Sequence, residues 1–146
     1  MFAAFAQSIE NPQNVLNRHG KSAVLFNPGL VAGLPHGEFA RLHTERAFEK
    51  GENIARDYTI EFLVRLSGRK QIEKALKIGI QKGSYIGVMA EASIIEKMEQ
   101  DFKNRSDSLL NLTREKEKCI RDFFEVSGTG KELQKNIFEK IALLSI

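Results

Sequence analysis

Few residues of this chain have the type and spacing that chemistry needs, and the most suggestive of them are cationic. Between Arg56 and Lys82 stand seven lysines or arginines (Arg56, Arg65, Arg69, Lys70, Lys74, Lys77, Lys82) against three acids (Asp57, Glu61, Glu73), a balance of +4 in a chain whose total is +3. Everything outside that segment therefore sums to −1. A local basic excess of this kind is the footprint expected for an anionic partner such as a nucleic-acid backbone. Arg65 and Arg69 flank Ser67-Gly68, so the sequence predicts two guanidiniums and the first free amides of a following helix converging on one phosphate. The bland alternative for Lys70, Lys74 and Lys77 is a solvated helix face.

The residues that would make an enzyme are poorly arranged. The three histidines, His19, His36 and His43, show no metal-ligand spacing and sit in no HExxH-like motif, so no metal is expected. His43 falls on the apolar stripe of a helix and reads as a core or interface histidine. Cys119 is the only cysteine, which excludes an internal disulfide and a Cys-rich zinc site, and reads as a buried structural thiol. Ser127-Gly128-Thr129-Gly130-Lys131 resembles a phosphate-binding loop but has no glycine at the position the motif requires ahead of its Gly-Lys pair, and Glu132 stands where Ser or Thr belongs. A glycine turn between two helices explains it without a nucleotide. Neither a catalytic centre nor a cofactor is expected.

Hydrophobic periodicity places these residues on an α+β framework, a single domain with a small, mostly antiparallel sheet packed against several helices, mainly on one side. Residues 1–21 read as irregular, and Ser22 to Phe26 as a short buried strand. A helix over Gly37 to Lys50 ends at Gly51, a second, largely apolar helix covers Asp57 to Leu66, and Ser67 is the predicted N-cap of a third with Lys70, Lys74 and Lys77 on its outer face. Tyr85 to Ala90 reads as a strand, Ser93 and Glu96 as the capping box of a helix reaching Phe102, and Leu109 to Leu112 as a short strand. Thr113 is the predicted cap of the next helix, with Glu115 and Glu117 in its first turn where the dipole favours anions. After the Gly128 turn comes a last helix through Ile141, with ALLSI as a closing strand.

At 146 residues, 42% of them apolar and 28% charged, the chain suits one soluble domain with a core of its own. The apolar opening MFAAFAQSI carries no basic residue ahead of it and no cleavage pattern, and no run approaches membrane-spanning length, so a cytoplasmic protein with no membrane partner is expected.

The order VAGLPH, a helix ending AFEKG, then IARDYTIEFLVRLSGRKQIEKALKIGI resembles the small kinase-binding subunit family of the KEOPS complex, the TPRKB-like proteins. The matching positions are Val31-Ala32-Gly33 with His36, Ala40, Ala47, Gly51, Glu61, Leu63, Gly68, Arg69, Gln71, Ile72, Ala75 and Gly79. The tail TREKEKCIRDFFEVSG and IFEKIALLSI is similar to the family's last two helices and closing strand, so the match spans roughly residues 22–146, whereas the first 21 residues read as a departure from its opening strand. The resemblance implies a non-catalytic, regulatory role in tRNA threonylcarbamoyladenosine modification. It implies binding and stimulating the complex's small atypical kinase/ATPase, recruiting tRNA by its single-stranded 3′ CCA end, and, indirectly, serving the threonylcarbamoyl transferase subunit. The readings of the residues fit that role. Arg65, Arg69, Lys70 and Lys74, with Arg56 behind them, are the nucleic-acid candidates, and Phe138, Leu143, Leu144 and Ile146 are the kinase-docking candidates. The alternative is a pure protein-interaction regulator of the kinase whose basic face never meets RNA.

Overall fold

Eleven residues form the sheet, and all of them are buried: β1 (Phe2–Phe5), β2 (Val24–Phe26) and β3 (Ile86–Met89). The order is β1-β3-β2 with both pairings antiparallel; β3 lies between Phe2↔Met89 through Phe5↔Ile86 on one side and Val24↔Met89 through Phe26↔Gly87 on the other. In a strand, side chains alternate between faces, so burial at every position means a sheet covered on both. The computed structural model describes residues 1–146.

The two faces are unequal. On the first, Phe2, Ala4, Val24, Phe26 and Met89 meet Phe62, Leu63 and Leu66 of α3 (Tyr58–Ser67), Ala40 of α2 (Leu34–Lys50), Ile120 and Phe124 of α6 (Arg114–Phe124), and Leu133, Ile137 and Ile141 of α7 (Gly130–Leu143). On the second, Ala3, Phe5, Leu25, Ile86 and Val88 are closed off by Ile95 and Met98 of α5 (Ala92–Asp101) with Phe102, and by the half-buried Val15 of α1 (Pro12–His19). The short α4 (Ile72–Ala75) completes seven helices. The α+β reading holds, with four long helices on one face and a thinner cover on the other.

Sheet closure depends on one residue without a side chain. A Cβ on Gly87 would stand 2.4 Å from the Phe26 ring, far inside van der Waals contact, so the ring lies flat across the backbone of β3.

Several sequence expectations are corrected. Residues 1–21 are not irregular: Phe2–Phe5 is an edge strand and Asn11 caps α1 through its side chain. Two alanines gave that strand little β signal, and its pairing with β3 supplies what propensity did not. Ser67 is the last residue of α3, its hydroxyl donating to the Val64 carbonyl, and not the cap of a third helix. That third helix is only the single turn of α4, followed by a 3-10 turn at Leu76–Ile78. α5 begins at Ala92 with no side-chain cap, so Ser93 and Glu96 form no capping box. The stretch read as a strand at Leu109 to Leu112 is no strand, its first two residues ending a 3-10 turn, Asp107–Leu110, and α7 runs on to Leu143 where a closing strand was expected.

Candidate nucleic-acid interface

The candidate interface is built around the end of α3. Gly68 takes a φ of 66° there, a left-handed turn that costs an L side chain dearly and glycine little, and its N–H closes the helix on the carbonyls of Val64 and Arg65. The chain leaves that turn with Arg69 half-exposed and Lys70 exposed, and the single turn of α4 presents Lys74, followed by Lys77, to solvent.

Two shallow grooves meet here. One, of about 420 Å³, is lined by Gly68, Arg69, Lys70, Gln71, Lys74, Lys140, Leu143 and Leu144. The other, of about 280 Å³, is lined by Arg69, Lys74, Lys77, Phe123 and Glu125. Arg69 and Lys74 belong to both and form the ridge between them. The linings together carry five cations and one carboxylate. A larger groove of about 500 Å³ shares none of these residues, and the side chains of its Lys21 and Arg41 are matched by those of Glu45 and Glu91, so it lacks the one-sided charge of the other two.

The ridge is pre-organised by the C-terminal end of α6. A helix ends with unsatisfied carbonyls and a partial negative charge, which cations satisfy. Arg69 Nη2 donates to the Phe123 carbonyl at 2.5 Å, its guanidinium carbon sits 5.9 Å from the centre of the Phe123 ring, and Nη1 reaches Glu125 Oε2 at 3.4 Å. Lys140, from α7, donates to the Phe124 carbonyl. Burial, with the Arg69 charge nearby, lowers the pKa of the Lys140 ammonium, against the pull of Glu125.

Arg65 is not part of this surface. Its side chain is wholly buried, with Nε 2.8 Å from Glu61 Oε2 and Nη1 2.8 Å from Ser145 Oγ. On a helix, residues four positions apart share a face, so Glu61 and Arg65 point inward together, and the convergence of Arg65 with Arg69 on a phosphate does not occur. Arg69, Lys70 and Lys74 do come together, whereas Arg56 is exposed in the loop ahead of α3 and lines neither groove. Lys140, Phe123 and Glu125 were missed. Nothing local marks them in the sequence, since they reach the site through the packing of α6 and α7 against α3.

Among the docking candidates, Leu143 and Ile146 are exposed, at 58% and 90%, Leu144 is half-buried, and Phe138 stacks on Phe39 with ring centres 4.6 Å apart. Leu143 and Leu144 also line the basic groove, so the two candidate surfaces are continuous.

None of the histidines is hydrogen-bonded to Cys119. His36 Nδ1 accepts from the Ala32 N–H at 3.0 Å, which places the ring proton on Nε2, and that atom donates to the Leu66 carbonyl at 2.9 Å. Complete burial pushes its pKa down to about 4, despite the Leu66 bond. His43 is half-buried, its ring tilted by 40° against that of Phe39 with centres 4.4 Å apart. Cys119 is exposed on α6, contrary to the buried thiol expected. No three His, Cys, Asp or Glu side chains are grouped to hold an ion, and no helix is long and apolar enough to cross a membrane.

Fold and surface define a small α+β domain whose most developed feature is a pre-organised cationic groove. No protein-family model matches the chain. It is, however, 31% identical over 124 residues to the regulatory protein Cgi121 of Methanocaldococcus jannaschii, a match covering 84% of this chain and 82% of that protein. The chain belongs to the Cgi121 family, the small KEOPS subunit family that its sequence resembles.

Proposed function

We propose that this protein is the non-catalytic Cgi121-type subunit of a cytoplasmic KEOPS complex, which binds and stimulates the complex's small atypical kinase/ATPase and recruits tRNA by its 3′ CCA end for threonylcarbamoyladenosine modification. The observation that carries the RNA part is the pair of grooves with five cations and one carboxylate meeting at Arg69. A single-stranded tail needs a cationic track for its phosphates and flat groups for its bases, and it needs no helix inserted in a duplex groove. Arg69, Lys70, Lys74, Lys77 and Lys140 supply the first, while the Arg69 guanidinium and the Phe123 ring supply stacking surface. The relative's name, a regulatory protein, supports a role through partners. Leu143, Leu144 and Ile146, with the stacked Phe138, form the surface for the kinase.

A second reading, a regulator that touches only protein, is favoured by the exposed Leu143 and Ile146 at the margin of the same groove, where an acidic partner with an apolar edge would fit. Binding of full-length tRNA and of tRNA lacking CCA, with and without the kinase, separates them. Affinity that falls on trimming supports end recognition. Equal affinity for both redirects the groove to general RNA, and no binding in any arm leaves the protein-only regulator.

A further inference from the structure

Glu125 is the one acid in the lining of the cationic grooves, and it stands in an unusual place. It closes α6 with a φ of 56° and a ψ of 46°, the left-handed conformation in which helices usually place glycine. Asn104 is the only other residue besides glycine with positive φ in the chain, and asparagine adopts that region readily, whereas glutamate does not. A strained backbone position occupied by a charged side chain points to a use for that side chain. What it reaches is Arg69, at 3.4 Å, with the carboxylate itself 70% exposed.

That contact is not needed to position Arg69. The Phe123 carbonyl at 2.5 Å and the Phe123 ring already hold the guanidinium without the Glu125 carboxylate. A long, exposed carboxylate contact is weak and easily exchanged. A phosphate offers the same guanidinium the same type of acceptor with more charge and better geometry.

We propose that Glu125 is a built-in counter-ion, occupying in the free protein the place beside Arg69 that a phosphate of the bound RNA tail takes, and so holding affinity down and release fast. This rests on the RNA-binding reading given above. The carboxylate and the phosphate repel each other and seek the same guanidinium, so the carboxylate competes for Arg69 at every cycle of recruitment.

The test is tRNA binding at low salt by the full chain and by Glu125→Gln, Glu125→Gly, Glu73→Gln, Arg69→Gln and Arg69→Gln/Glu125→Gln. Glu125→Gln and Glu125→Gly are each expected to bind about two- to fivefold tighter, the range set by exposed ion pairs, with the gain fading as salt rises. Glu73→Gln removes the same charge from exposed α4 and is expected to give a smaller gain. In the Arg69→Gln background the Glu125 effect should shrink to no more than that of Glu73→Gln. Unchanged or weaker binding by both Glu125 variants, a gain matched by Glu73→Gln, or a gain that survives loss of Arg69 undiminished overturns the proposal while leaving RNA binding intact. Failure of the unaltered chain to bind tRNA removes the RNA reading itself, and this inference with it.

Discussion

Arg65 Nε lies 2.8 Å from Glu61 Oε2 with neither side chain touching solvent. The other Glu61 oxygen accepts the N–H groups of Ile54 and Ala55 at 2.8 and 2.6 Å, while Arg65 donates onward to Ser145 Oγ at 2.8 Å and the Glu52 carbonyl at 3.4 Å. One ion pair thus joins the loop ahead of α3, the helix itself and the residues after α7. Removing one member of such a pair strands the other in the interior. Arg65→Met is therefore expected to lower unfolding free energy by about 3–5 kcal/mol in urea titrations. Adding Glu61→Gln should recover part of the loss, because a neutral amide oxygen still accepts from Ile54 and Ala55. Arg69→Met should cost less, about 1–3 kcal/mol, since it loses a charge-assisted bond to the Phe123 carbonyl and a weak contact to the exposed Glu125 but strands no buried charge.

Surface charge governs the RNA prediction. Lys74→Glu and Arg69→Glu are each expected to weaken tRNA binding by roughly tenfold at low salt and to reduce the slope of log affinity against log salt by about 1. Arg56→Glu, outside both grooves, should weaken it less. Titrations over a range of salt concentrations read both quantities, and equal losses at all three positions would mean a diffuse field with no groove.

His36 gives the fold a pH dependence of defined sign. Its folded pKa is about 4 and its ordinary value 6.5, so between these values the unfolded chain binds the proton and the folded one does not. Stability is then complete above pH 6.5 and is lost as pH falls toward 4, by roughly 3 kcal/mol for this group alone. His43, also lowered by burial, adds in the same direction. Urea midpoints measured between pH 7 and 4 should drop accordingly, and less steeply in His36→Gln.

Gly87→Ala tests the close approach in the sheet. With the Phe26 ring 2.4 Å from the new methyl group, a loss of about 1–3 kcal/mol is expected, partly restored by Phe26→Leu, with no change in tRNA affinity per folded molecule. Calorimetry on the single and double variants reads it.

Leu143→Asp and Ile146→Asp, at exposed positions, should leave the unfolding midpoint nearly unchanged and weaken kinase binding in a pull-down or titration. A large fall in stability without loss of kinase binding would return these residues to the core.

The α+β class, the long helix ending at Gly51 and the central α3 were legible because periodicity and glycine punctuation act locally. Arg69, Lys70 and Lys74 were legible as a cationic group for the same reason. Arg65 was not, because charge composition does not say which face of a helix turns inward; its spacing of four from Glu61 was the available signal. β1 was missed because its ladder partner lies more than 80 residues away, and Lys140 because only the docking of α7 brings it beside Gly68, where an added Cβ would stand 3.4 Å from the Cβ of Lys140.

The pair at Glu61 and Arg65 also separates cause from location. Because it fixes the loop that carries Arg56, the start of the helix whose end presents Arg69, and the tail beside Leu144, an interior substitution there would rearrange the spacing of external contacts all at once. Variants of this kind would score as defective in partner assays while altering nothing that a partner touches, and would be recognised by simultaneous loss at both surfaces.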